Sequence, residues 1–238
     1  MSKVLLIVPC YNEEKRLDLA TFRAAPEHLS FLFANDGSSD GTRLVLDQLT
    51  QEAAKFRAYH APQNMGKGDV IQAAYQDWQK RAPSEQFDWI GYWDADLATP
   101  LSAVDDMLKY RSAFYASEDV AAIWGSRISR LGSDIRRHAH RHYLGRIFVT
   151  VVSVLLGVKA YDSQCGAKLF RPEAARVAFG ENFVSRWIFD VEILLRLGSA
   201  KIVEFPLLKW TDVPGSKIKI FREMFRVWRD IFRIRSKY

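Results

Sequence analysis

Phe87-Asp88-Trp89-Ile90-Gly91-Tyr92-Trp93-Asp94-Ala95-Asp96 is an apolar, aromatic run that stops at two carboxylates. Its first part, Phe87 to Trp93, predicts a strand buried in a sheet. An Asp-x-Asp triplet is common by chance and alone reads as a solvated loop. Position alters that reading, because Asp94 and Asp96 directly follow the buried strand. The pattern recurs on either side. Val4-Leu5-Leu6-Ile7-Val8 is a continuous apolar run, Phe31-Leu32-Phe33-Ala34 repeats it, and Val120 to Trp124 is a further strand closed by Gly125. Ser39 or Asp40 caps a predicted helix through about Phe56, with Leu44, Val45, Leu46 and Leu49 at helical spacing. Strands and helices in this alternation predict an α/β fold, a mainly parallel sheet with helices on both faces. Ligands bind such sheets outside the carboxyl ends of the strands. Three polar motifs gather there: Pro9-Cys10-Tyr11-Asn12-Glu13, Asn35-Asp36-Gly37-Ser38-Ser39-Asp40-Gly41 and the acidic triplet.

Composition narrows the classes. With 238 residues, 48% hydrophobic and 26% charged, the chain is long and apolar enough for a sizeable core and is not disordered. Lysine and arginine number 34 against 28 acids, a net charge of +6 that suits polyanions in general. No recognised nucleic-acid motif or aromatic reading surface accompanies that charge, so nucleic acid is not expected as a partner. No glycine-rich nucleotide-activation loop lies near the N-terminus, which argues against a nucleotidyltransferase. Cys10 and Cys165 lie far apart without ligand spacing and read as structural thiols of a reducing compartment. Met1-Ser2-Lys3 leads into an apolar run too short for a signal peptide. The longest apolar stretch, Ile147 to Val158, is shorter than the ~18 residues a membrane span needs. A cytoplasmic protein that touches a membrane is the expectation.

Two carboxylates at a strand end suit Mg²⁺ or Mn²⁺, hard cations that take oxygen ligands and bridge phosphates. Asn64-Met65-Gly66-Lys67-Gly68 resembles a phosphate-binding turn entering a helix, with Lys67 as the point charge. It lacks P-loop spacing. Asn35-Asp36-Gly37-Ser38 reads foremost as a tight turn, though an Asp there can also accept hydrogen bonds from a nucleobase or ribose.

In this order, the motifs resemble the family 2 glycosyltransferases of the GT-A fold, nearly end to end. Asp162-Ser163-Gln164-Cys165-Gly166-Ala167-Lys168-Leu169-Phe170, Trp187-Ile188-Phe189-Asp190-Val191-Glu192-Ile193-Leu194 and Trp210-Thr211-Asp212-Val213-Pro214-Gly215-Ser216-Lys217 are similar to segments of the dolichyl-phosphate glucosyltransferases. The dolichyl-phosphate mannosyltransferases match these later segments less well. The resemblance implies one GT-A domain over 1–238, with about 1–125 binding the nucleotide sugar and about 126–238 the acceptor and membrane surface. It implies that Pro9, Tyr11 and Glu13 hold the nucleoside and that Asp36 binds base or ribose. Asp94 and Asp96 would hold metal and diphosphate. Arg127 would face the phosphates, and Arg141, with Lys168 beside them, would orient the acceptor phosphate. The implied reaction moves glucose from UDP-glucose to a polyprenyl phosphate with inversion, on the cytosolic face of an anionic membrane. GDP-mannose as donor and a hydroxyl as acceptor are the alternatives.

Some positions depart from the family's usual pattern. Asn35 replaces the first of two common acids, Met65 a frequent arginine, Asp69 a small residue, and Leu97 a frequent glycine. Asp190 reads as an orienting group or base, or equally as a helix-start cap or ion-pair partner; Glu192 reads as structural. His138, His140 and His142 alternate and form a basic patch rather than a metal site. Trp187 and Trp210 read as core or pocket walls. From about Ile218 the chain predicts a basic amphipathic helix, with Phe221, Met224, Phe225, Trp228, Ile231 and Phe232 on one stripe and Arg222, Arg226, Arg229 and Arg233 opposite. Such a helix packs on its domain or lies on anionic lipid.

Overall fold

The computed structural model describes residues 1–136, 154–212 and 220–238, and over 220–228 it describes the helical backbone. Strand β1 (Val4–Cys10) pairs in parallel with β2 (Leu29–Asn35) on one side and β4 (Trp89–Trp93) on the other. Beyond β2 lies β3 (Phe56–His60), also parallel. β7 (Ala167–Phe170) runs antiparallel between β4 and β5 (Val120–Ser126), and β8 (Lys201–Pro206) closes the far edge parallel to β5. The seven-stranded order is therefore β3-β2-β1-β4-β7-β5-β8, mainly parallel as expected. A small parallel pair, β6 (Asp134–Arg136) with β9 (Lys209–Thr211), stands apart from it.

Alternate residues of a strand face opposite sides, so a strand covered on both faces must be apolar throughout. β1 obeys this. Val4, Leu6 and Val8 join Phe22, Phe31, Phe33, Leu46 and Leu49 in one core. Leu5 and Ile7 join Val70, Ile71, Ala74 and Tyr75 in the other. The first core is covered by α1 (Leu19–Arg23), α2 (Thr42–Glu52) and α4 (Ala103–Phe114). α3 (Lys67–Arg81), α5 (Pro172–Ala178) and α6 (Phe189–Leu197) cover the second.

The helix expected to run to Phe56 ends at Glu52, and Phe56 opens β3 as a buried edge-strand residue. Leu46 and Leu49 are buried while Leu44 is exposed, so the helix shows the sheet a narrower stripe than its apolar letters suggest. The N-cap of α2 is Gly41, with no side-chain cap bond, rather than Ser39 or Asp40; Asp40, one residue earlier, accepts from the Thr42 amide through Oδ1 at 3.0 Å.

The C-terminal helix α7 spans Ile220–Lys237. In its described part Ile231 and Ile234 are buried against Val158, Ile188 and Val191, while Phe232 is 61% exposed. Part of the apolar stripe therefore docks on α6, with Ile234 in the contact and Phe232 out of it. Among the described residues no helix is long and apolar enough to cross a membrane.

Candidate active site

Parallel strands β1, β2 and β4 all deliver their carboxyl ends to one edge. Cys10 lies beside Asn35, and Trp93 ends β4 alongside. Antiparallel β7 begins at that same edge, with Ala167 paired to Trp93. The turn 162–166 is thereby brought beside the acidic triplet. The Asp94 amide donates to the Gly166 carbonyl at 3.0 Å, and a Cβ at position 166 would overlap the Asp94 carboxylate. Only glycine allows this approach.

Lys67, first residue of α3, bonds Asp94 Oδ1 through Nζ at 2.5 Å, both side chains being about one-third exposed. Burial raises the Asp94 pKa, but Lys67, with Arg127 and Lys168 behind it, outweighs burial and holds it below the ordinary value. Asp96 shows the opposite balance, its pKa raised by burial and by the neighbouring Asp94 charge. Asp96 Oδ1 accepts from the Ala98 amide at 3.1 Å, across Leu97 at φ 51°. That left-handed conformation is the reason glycine suits the position; a leucine there is strained by roughly 1 kcal/mol or more. Among the described residues no three His, Cys, Asp or Glu side chains converge as a metal cage. Two carboxylates without further protein ligands fit Mg²⁺ or Mn²⁺, which complete their coordination with water and substrate phosphate.

The nucleoside side of the edge is built around Asp36. One carboxylate oxygen accepts from the Met65 amide at 2.5 Å, the other from the Gly66 amide and Asn64 side chain, each at 2.9 Å. The expected base- or ribose-binding acid thus spends both oxygens on the turn that precedes Lys67. Burial raises its pKa and these amides oppose the rise. Pro9 ends within β1, and the backbone beyond it is pinned, with Asn12 at φ 55° accepting from Ser39 and the Glu13 amide donating to Thr42 Oγ1. Tyr11 is half-exposed, and Glu13 pairs with Arg16.

Lys168 departs from its expected place on the acceptor phosphate. Its side chain is fully buried, and Nζ donates to the Ser163 and Cys165 carbonyls and to Asp190 Oδ1 at 2.8 Å. Trp124 and Tyr92 close over the ammonium at 4.3 and 5.1 Å from their ring centres. With every donor used inside the protein, it shapes the floor instead of touching ligand. Asp190, expected at the chemistry, is 3% exposed and also accepts from the Tyr92 hydroxyl. Its ion-pair reading holds. Glu192 is structural as expected, accepting from the Val184 and Ser185 amides.

Arg127 is gripped by Asp162 in a two-pronged pair, Nε to Oδ2 at 2.6 Å and Nη2 to Oδ1 at 2.7 Å, and lies over Trp210 at 5.3 Å. Trp210 is a wall, as expected. Arg127 holds the Asp162 carboxyl down at about 2 against the effect of burial. Arg141 and the three nearby histidines lie outside the described residues. Both cysteines are buried free thiols, with Cys165 pushed up to about 11 by burial. Residue reading missed Tyr92, Asp162 and Arg186. Asp162 opens a motif that the resemblance singled out, whereas nothing in the letters marks Tyr92 or Arg186.

The sheet brings an acidic strand end, a helix-start lysine and a paired arginine to one edge, and its architecture is that of the GT-A glycosyltransferases, as its solved structural neighbours show. The structure aligns with glucosyl-3-phosphoglycerate synthase from Mycobacterium tuberculosis in complex with UDP at TM-score 0.64 and 14% identity, over 99% of this chain and 80% of that one. Staphylococcus aureus TarS in complex with UDP-GlcNAc gives TM-score 0.60 at 14% identity, over 98% and 66%. The chain belongs to glycosyl transferase family 2, whose model matches residues 5–179, and it is a glycosyltransferase. Similar relatives are the dolichyl-phosphate beta-glucosyltransferases of Dictyostelium discoideum (31% identical over 98% of this chain and 74% of the relative) and Homo sapiens (30%, 98% and 75%). That named ALG5C in Trichomonas vaginalis is 31% identical over 90% of this chain and 65% of its own length. The chain therefore spans between 65% and 75% of these relatives.

Two outcomes follow from the buried pairs. Lys168→Met leaves the Asp190 carboxylate buried without its cation and is expected to cost about 3–5 kcal/mol in urea unfolding; an acceptor ligand would instead change acceptor KM at unchanged stability. Asp162, depressed in the folded state, stabilises it above the unfolded carboxyl pKa, and that contribution is lost as pH falls from about 4 towards 2. Asp162→Asn is expected to lose about 2 kcal/mol at neutral pH and to flatten the stability profile over that window.

Proposed function

We propose that this enzyme transfers a glucosyl residue from UDP-glucose to a polyprenyl phosphate of the dolichyl type, with inversion at the anomeric carbon. The observation that carries the reading is the Lys67–Asp94 ion pair beside Asp96. A lysine held by one of two adjacent carboxylates is a charge arrangement that can be exchanged. Asp94 and Asp96 would hold the donor's cation, and Lys67, released from Asp94, would meet the diphosphate. Held there, Mg²⁺ or Mn²⁺ would supply charge neutralisation for the departing nucleoside diphosphate. Solved relatives of the fold include the M. tuberculosis synthase in complex with Mn²⁺, UDP-glucose and phosphoglyceric acid, at TM-score 0.61.

The relatives' names supply the acceptor class, and the chemistry of Asp190 favours it over a hydroxyl. A hydroxyl acceptor needs a general base. Asp190 is buried and engaged by Lys168 and Tyr92, so its carboxylate is not presented as one. A phosphate monoester is already ionised near neutral pH and needs alignment and charge stabilisation instead. Arg127, oriented by Asp162, and Arg141 provide these. The inferred layout has residues 1–125 holding the donor and 126–238 meeting the acceptor at the cytosolic face of an anionic membrane. Exposed Arg229, Phe232 and Arg233 on α7 support an interfacial role.

The test is turnover of UDP-glucose with a short prenyl phosphate. Stoichiometric UDP and glucosyl prenyl phosphate are expected, with loss on chelation and recovery on adding Mg²⁺ or Mn²⁺. Arg141→Ala should raise acceptor KM by about tenfold or more, as loss of a charge-assisted hydrogen bond predicts. Turnover that survives complete chelation, or transfer confined to hydroxyl acceptors, would overturn the proposal.

A further inference from the structure

The turn 64–66 that leads into Lys67 is held from two directions. Asp36 holds its amides from below. Arg186 holds its carbonyls from the other side, Nη2 donating to Asn64 O at 2.9 Å and Nε to Met65 O. The guanidinium lies so close over the turn that a Cβ at Gly66 would come within 2.9 Å of Nε. Amides and carbonyls of one short turn are thus fixed by opposite charges, and that sets the position of Lys67 at the start of α3.

Arg186 is itself placed by the C-terminal helix. The neighbouring Ser185 hydroxyl accepts from the Trp187 and Ile188 amides at 3.2 and 3.3 Å and donates to Asp230 Oδ2 of α7 at 2.8 Å. Ser185 and Asp230 are 1% and 6% exposed, so the bond is shielded from water. Arg229 and Arg233 sit 3.8 and 3.9 Å from the Asp230 carboxylate and offset its charge. The Ser185 amide is bound by Glu192, and Ile231 and Ile234 pack on Ile188 and Val191. Segment 184–188 is therefore bonded and packed to α7 on one side and reaches the turn through Arg186 on the other.

We propose that Arg186 is a positioning residue for donor binding, set by Asp230 of α7 through Ser185, so that docking of the C-terminal helix and order in the phosphate-binding turn are linked. This rests on the reading of 64–67 as the donor's phosphate turn. The link gives α7, the element suited to a lipid surface, a physical route to the donor site without any residue of α7 touching substrate.

The test compares Arg186→Gln, Arg186→Lys and Asp230→Asn with the wild type in the full chain. Hydrogen exchange of amides 64–69 and UDP-glucose steady-state kinetics are the readouts. Removing the two guanidinium bonds is expected to speed exchange in 64–69 and raise donor KM by about tenfold, the worth of a hydrogen bond to a charged group. Turnover should change less than about threefold, because the reacting atoms are untouched. Asp230→Asn should move both readouts the same way by less, and Arg186→Lys should recover part of the loss. Should Asp230→Asn fail to fold, the exposed Arg186 variants carry the test alone. Unchanged exchange at 64–69, or a loosened turn with unchanged donor KM, overturns the proposal. A wild type inert toward UDP-glucose defeats the donor reading separately, and exchange at 64–69 then decides whether Arg186 clamps the turn.

Discussion

An ammonium group buried without partners costs several kcal/mol and would lose its proton instead. Lys168 is fully buried on β7, between β4 and β5, and the ligand edge is organised around keeping its charge satisfied. Two carbonyls of the 163–165 turn, the Asp190 carboxylate and the faces of Trp124 and Tyr92 all converge on its Nζ. Each partner is fixed in return. The turn is curled back over its own strand, α6 is oriented with Asp190 inward, and the Tyr92 hydroxyl is directed to the same carboxylate. Because the turn is curled, Gly166 meets Asp94.

Above that floor the site holds two ion pairs and one carboxylate beside a like charge. Asp94 takes Lys67, Asp162 takes Arg127, and Asp96 faces a like charge with a raised pKa. The two ion pairs differ in character. Arg127 and Asp162 form a planar fork with low exposure, geometry suited to permanence. Lys67 and Asp94 are a single contact between partly exposed groups, geometry suited to exchange for a charged ligand. Under the proposed function, a donor bringing both a cation and a diphosphate would satisfy the second pair without disturbing the first.

Much of this was legible in the letters. Continuous apolar runs betrayed strands buried on both faces, and polar motifs directly after them marked the ligand edge. Asp94, Asp96 and Lys67 lie at the expected ends of their elements, because each follows or begins an element whose direction the alternation dictates, but the Lys67–Asp94 ion pair itself was not foreseen. Leu97, where glycine is frequent, proved to stand at positive φ, so a departure in sequence located a strained backbone. The helix through Phe56 failed because periodicity alone cannot separate a helix end from a short buried strand.

What the sequence by itself determined was the class of fold, the edge where chemistry collects, and the family to which the chain belongs. These follow from local pattern, since strand polarity and burial are written in neighbouring residues. Tertiary structure alone decided which charges work and which support. Lys168 and Asp190 carry letters suited to a ligand or a base, yet antiparallel β7 and helix α6 turn them into the core from two sides, where they satisfy one another. Arg186 carries no motif, yet it spans more than a hundred residues of sequence to hold the turn before Lys67. The burial of a charged side chain and the partner it meets depend on elements far apart in the chain. No local spacing encodes that distance.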